Sequence, residues 1–238
     1  MKNMRWRRVV GLMVGLFVVL GAVHGAEAVA ADGEGSVTMA PAEPAEVRSH
    51  GTWTFTYTAG ASGIQPGGGI RIGIPGSFER VFEPPQVEDP KAASYVTAST
   101  SVDAATLDVS IDHFRKPLWV QRHEIVTTVR GAVLEPGETI TVVFGDTSQG
   151  GPGAWVRRAV QAFDVPVPVK SDADGDGAFS TLPDSPSVSI EGTNAVRLDC
   201  YAPSQAVVGE PVEIAVVARD PYGNVSRACD PRLSILCD

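Results

Sequence analysis

The chain has 238 residues, with 28 acidic side chains against 19 basic ones, a formal charge of −9 and a 43% hydrophobic fraction. That is enough chain for one or two domains with a sizeable core. The acidic balance argues against nucleic acid and anionic lipid as partners.

Lys2, Arg5, Arg7 and Arg8 precede an uncharged run from Val9 to Val23, and Ala26-Glu27-Ala28 offers small residues at the positions a signal peptidase reads. Residues 1–28 therefore read as a secretory signal peptide. The apolar run is shorter than the roughly 20 residues a membrane-spanning helix needs. Removal of four bases and the single acid Glu27 leaves a formal charge of −12. The expected destination is outside the cytoplasm: periplasm, cell surface or medium, with no membrane association after cleavage.

Residues 29–50 are rich in Ala, Pro and Glu, lack periodicity and read as a flexible lead-in. From 51 onward the pattern changes to a period of two, bounded by turn residues. In Thr52–Thr58, Trp53, Phe55 and Tyr57 share one face and the threonines the other, as a half-buried strand requires. Ile70, Ile72 and Ile74 repeat the pattern, as do Leu107, Val109 and Ile111, and then Ile140, Val142 and Phe144. Val165, Val167 and Val169 also alternate. Pro166 and Pro168 lack ladder donors, which predicts a sheet edge or a linker there. Pro152–Phe163 has mixed spacing and is assigned as a strand.

Residues 171–186 form an acidic, Gly- and Pro-containing linker in this reading, closing a sandwich domain over 51–170. Alternation restarts at Val188 and Ile190, then Val196 and Leu198, then Val212, Ile214 and Val216. Asp220-Pro221-Tyr222-Gly223-Asn224 supplies a turn. An immunoglobulin-like module takes roughly 100 residues, so 187–238 reads as a partial second module. The predicted fold class is all-β: an immunoglobulin-like sandwich followed by a second, truncated one.

Two glycine-rich stretches, Gly63–Gly69 and Gly145–Gly153, border strands. A phosphate cradle needs a helix start after its glycines, whereas Gly69 runs into a strand pattern, so turns are the better account. Both are placed to line one end of a sandwich, where such folds bind ligands. Asp172, Asp174 and Asp176, followed by Gly177, match the front of a calcium loop, with carboxylates at alternating positions as hard oxygen ligands. The twelfth position, where a bidentate acid is needed, is Pro183. The rival reading is an acidic turn, and a structural Ca²⁺ is the one cofactor the residues suggest; none is required.

Trp119 and Trp155 are candidate stacking residues for a sugar or a protein surface, while Trp53 alternates with core positions. His50, His113 and His123 sit in no nucleophile or metalloprotease motif. Asp112-His113 and His123-Glu124 are neighbours on presumed strands and face opposite ways, so neither makes a dyad. Cys200, Cys229 and Cys237 allow at most one internal bridge, with three possible pairings. No catalytic residue is assigned.

Thr52–Ile74, with Tyr57-Thr58-Ala59-Gly60, Gly63-Ile64 and Gly67-Gly68-Gly69-Ile70-Arg71-Ile72, resembles the amino-terminal region of large exported bacterial proteins of the domain of unknown function 3604 family. Asp89-Pro90 with Tyr95-Val96-Thr97, Phe144–Ser148 and Gly150–Gly153 continue the likeness. Gly209-Glu210-Pro211, Asp220, Gly223 and Asn224 match the immunoglobulin-like segment that follows. The resemblance covers roughly 36–224. It implies a metal-dependent, hydrolase-like domain further on, opening at a Gly-Asp-Leu-His-x-His-like motif. The Gly145-Asp146 pair here continues with Thr147 and Ser148, so no family ligand carries over. Three functions are then expected in order: non-catalytic accessory modules of a larger hydrolase-like protein, a stand-alone secreted protein binding carbohydrate or a protein surface, and a hydrolase with an unrecognised site.

Overall fold

The computed structural model describes residues 32–75, 81–116, 120–157 and 159–226. Every regular element among them is a β-strand. The chain enters through β1 (Ser36–Ala40) and two short strands, β2 (Ala45–Glu46) and β3 (His50–Gly51), before β4 (Trp53–Thr58) and β5 (Gly69–Ile74). Next, β6 (Val96–Thr100) precedes a long hairpin of β7 (Thr106–Lys116) and β8 (Val120–Arg130), then β9 (Thr139–Phe144) and β10 (Ala154–Trp155). A run of short strands follows: β11 (Ala162–Pro166), β12 (Val169–Asp172), β13 (Ser180–Thr181) and β14 (Ser187–Glu191). β15 (Arg197–Tyr201) and β16 (Ala215–Arg219) pair only with each other.

Two antiparallel sheets carry the core. One runs β1-β4-β9-β6 and the other β13-β12-β5-β8-β7. Register sets the aromatic and branched side chains of the first sheet opposite one another, with Trp53 against Phe144, Phe55 against Val142 and Tyr57 against Ile140. Paired residues share a face, so this row turns inward as one layer. Ile70, Ile72, Ile125 and Val169 form the inward row of the second sheet, and both rows belong to one continuous buried cluster. Phe82 closes the cluster near Trp53 and Phe144, with edge-on contacts at centroid distances of 4.8 and 5.4 Å. Each such side chain contributes about 1.5–3 kcal/mol by leaving water. The architecture is all-β and sandwich-like.

Four stretches differ from the expectation. The lead-in is ordered into the fold from residue 32: β1 pairs with β4 along its whole length, and Val37 and Met39 pack on the core. The Ala/Pro/Glu composition had masked a five-residue alternation. The segment 171–186 does not separate two cores. Lys170 and Ser171 pair with β13, Ala173 and Leu182 are buried, and Val188 and Ile190 lie in the first core, where β14 joins β11 and β2. The valine run with two prolines is two strands rather than one. Val165 belongs to β11 and Val169 to β12, and the chain crosses between sheets at Pro166-Val167-Pro168. Prolines without N–H donors suit that crossing, where no ladder continues. The stretch 152–163 holds β10 and the start of β11 rather than one strand.

The β15–β16 hairpin is tied to the first unit by the turn after it. The Asp220 carboxylate is fully buried and accepts from the amides of Thr193, Tyr222 and Asn224 and from the Asn224 side chain. Asn224 reaches across in turn: its Nδ2 donates to the Ala159 carbonyl, and its Oδ1 accepts from the Gln161 amide at 2.9 Å. Burial alone would raise the Asp220 pKa, but this set of donors outweighs it and holds the carboxyl below its ordinary value.

Candidate functional site

The two glycine-rich loops lie at opposite ends of β9, not at one end. Ile64 bridges to Leu134 and the Ala59 amide donates to the Glu138 carbonyl, just before β9 begins; Gly145 follows its last residue. The first loop is folded into the protein. Gly67 donates to the Val129 carbonyl, and a side chain at Gly68 would collide with the Asp172 carbonyl at 2.4 Å. Its glycines serve close backbone approach rather than ligand binding.

The second loop adjoins a cleft of 340 Å³. Pro41 and Pro44, Glu43 and Glu46, and Ser49, His50 and Trp53 line it. Trp155, half-buried on β10, is paired with β3 and sets its ring 4.6 Å from that of His50. The indole N–H of Trp53 is buried and no described residue accepts it. An apolar wall, two carboxylates, an imidazole and a flanking indole make a cleft suited to a polar ligand with an apolar face. Trp155 is thus placed beside a cavity, whereas Trp119 lies outside the described residues. The Asp146 carboxylate in the second loop accepts from the Thr97 hydroxyl at 2.7 Å and the Ser148 amide at 2.8 Å, which holds it below its usual pKa.

The acidic turn divides its carboxylates between two tasks. Asp172 is fully buried, and its two oxygens accept from the Gly175 amide at 2.7 Å and the Gly177 amide at 3.0 Å. Burial pushes this carboxyl up despite those bonds. Asp174 and Asp176 are exposed, and their carboxylates gather with that of Asp32, within 4.8 Å of one another. Asp32 also accepts from the Ala173 amide. The residues that could hold a Ca²⁺ are therefore Asp32, Asp174 and Asp176, with Asp172 shaping the turn. Asp32, 140 residues before Asp172 in the chain, gave no signal of this in the sequence.

The outer face of the second sheet holds an ion network. Glu124, only 5% exposed, receives Lys170 Nζ at 2.9 Å on one oxygen and Arg71 Nη1 at 3.2 Å on the other; Arg71 also reaches Asp112. Its guanidinium lies 4.4 Å from the ring centre of Phe179. On the other face of the same hairpin His113 stands opposite His123, with Nδ1 atoms 2.8 Å apart. As expected, Asp112 and Glu124 turn away from the histidines. The cross-strand meeting of the two imidazoles needed the hairpin register, which no local motif states.

Comparison with protein-family models, curated proteins and solved structures finds no match. Cys200 is exposed on β15; Cys229 and Cys237 lie outside the described residues, as does the signal-like segment 1–28.

Proposed function

We propose that the chain supplies non-catalytic, immunoglobulin-like accessory modules of an exported bacterial protein, serving to support and orient a following metal-dependent, hydrolase-like domain. The observation that carries this reading is the contrast between the two units. The first closes its core completely around Phe55, Tyr57, Ile72 and Ile140. Among the described residues the second offers a two-stranded hairpin on which Leu198 is exposed, with Val196, Val212 and Ile214 exposed in the segments that lead into its strands. Even-numbered residues of both strands share a face, as the Leu198–Ala218 and Cys200–Val216 pairs require. A two-stranded hairpin has little stability of its own in water, and a face of this kind calls for a further sheet or domain against it.

The reading is tested by the intact mass of the gene product from its native cells, together with the DNA read past codon 238. It expects a longer product that continues into paired histidines. A stable, monomeric product ending at Asp238 would overturn it. The second reading, a stand-alone binding protein that uses the cleft beside Trp155 and His50, would then take its place.

A further inference from the structure

His113 and His123 stand directly opposite each other on the β7–β8 hairpin, in the row where the hairpin leaves its sheet. β5 ends at Ile74, whose pairing partner is His123. Toward the turn the hairpin runs on for three more paired rows, to Lys116 and Val120, with no third strand beside it among the described residues. A two-stranded ribbon has little stability of its own in water, so the last row backed by the sheet decides whether the end beyond it stays closed. That row holds two imidazoles, with Nδ1 atoms 2.8 Å apart and rings nearly perpendicular, at 83°.

The distance is that of a hydrogen bond, and a bond between two Nδ1 atoms has room for one proton. With both rings neutral, one Nδ1–H donates to the other ring's Nδ1. A first added proton goes to the free Nε2 of the donor ring, and the bond persists, strengthened by the charge on its donor. A second proton can enter only at the acceptor's Nδ1, because the Nε2 of that ring already carries a hydrogen. It removes the lone pair that accepted, and two cationic N–H groups then face each other. We propose that this pair is an acid-operated latch on the β7–β8 hairpin, closed while either ring is neutral and released when both are protonated.

Burial orders the two steps. His113 is exposed and takes the first proton as donor, whereas His123, half-buried, is the acceptor that stays neutral longer. Burial, and then the neighbouring His113, lower the pKa of His123 accordingly. No acid of the adjoining strands offsets this. Asp112, Glu124 and Arg71 face the other side of the sheet and are paired with one another and with Lys170. β6, the strand of the other sheet that lies against β7, carries no titratable residue. By register, Lys116 and Arg122 belong to the other face, and Arg115, opposite Gln121, is the next residue of β7 on the face of the pair. Its positive charge adds to the cost of the second proton. A base lowered in the folded state contributes stability above its ordinary pKa of 6.5 and loses it as pH falls. The latch therefore opens on the acid side.

The test follows both rings and the backbone of the full chain by nuclear magnetic resonance from pH 8 to pH 5, a range that leaves Glu124 ionised. The expected result is that His113 titrates first and His123 only at lower pH. Over that second step, amide exchange at 112–114 and 122–124, corrected for its intrinsic dependence on pH, should rise at least tenfold relative to 70–72 and 127–129 of the same sheet. A glutamine can donate to a neutral imidazole and accept from a charged one. In H113Q the midpoint of His123 should therefore rise and the tenfold change should disappear, and H123Q should likewise remove that change. H113Q alters an exposed side chain, so its fold is retained even if H123Q disturbs packing. A single common titration of the two rings, or opening of H113Q in acid equal to that of the unaltered chain, overturns the proposal.

Discussion

Glu124 and Asp172 are both buried carboxylates, yet their surroundings push them in opposite directions. For Glu124, burial raises the pKa, but Lys170 and Arg71 together outweigh it, and the folded-state value lies below the ordinary 4.5. A depressed value contributes stability that is present above the unfolded pKa and lost as pH falls through the folded one. For Asp172 burial dominates, and the folded value lies above 3.8. Its stabilising contribution is present below the unfolded value and lost as pH rises through the folded one, so it opposes Glu124 on acidification. Denaturant unfolding measured from pH 6 down to pH 3 separates them. E124Q should cost about 1–3 kcal/mol at pH 6 and flatten the acid-side loss of stability. D172N should make that loss steeper. Parallel profiles for both variants and the unaltered chain would contradict these assignments.

At the scale of elements, the Asp220–Asn224 turn matters most, because it joins the hairpin β15–β16 to the entry of β11. Asn224 alone bonds to Ala159, Gln161 and Asp220. N224A removes those bonds and leaves buried polar groups without partners, which should lower the free energy of local opening by about 1–3 kcal/mol. Limited proteolysis should then cut between 193 and 226 faster while 36–191 resists as before. Equal acceleration in both regions would show that the turn acts on the whole fold. In the sequence, Asp-Pro-Tyr-Gly-Asn was legible as a turn from its composition. Its role as a tether was not, because the partners at 159 and 161 lie some 60 residues away. The same limit explains other differences. Strands β4, β5, β7 and β9 were readable because the apolar residues of each alternate and pack on the core, fully buried in β4, β5 and β9 and half-buried in β7. β13 was hidden in an acidic, proline-containing stretch that composition assigns to a linker, and β14, legible from Val188 and Ile190, was set in a second module because that stretch precedes it. Trp155 was legible as an aromatic without a core pattern, but the cleft beside it depends on the pairing of β10 with β3.

For the molecule as a whole, the described residues show an asymmetry: one sandwich-like core is closed, whereas the segment 193–226 leaves Val196, Leu198, Val212 and Ile214 exposed. Among the described residues the apolar side chains most exposed fall largely in the second unit, with Val196, Val207 and Val208 each more than 60% exposed. Nothing local distinguishes Val212 and Ile214 from Ile140 and Val142 of β9, since each pair follows a Gly-Glu turn and is spaced two residues apart. Among the described residues only their burial does: Ile140 and Val142 are fully buried and Val212 and Ile214 exposed. Hydrogen exchange resolved along the full chain, followed by mass spectrometry, tests this directly. The account predicts that amides of β4, β5, β8 and β9 exchange only through global unfolding, and that those of β15 and β16 exchange orders of magnitude faster. Equal protection in both units would show that the second is independently complete, and the accessory-module reading would lose its main support.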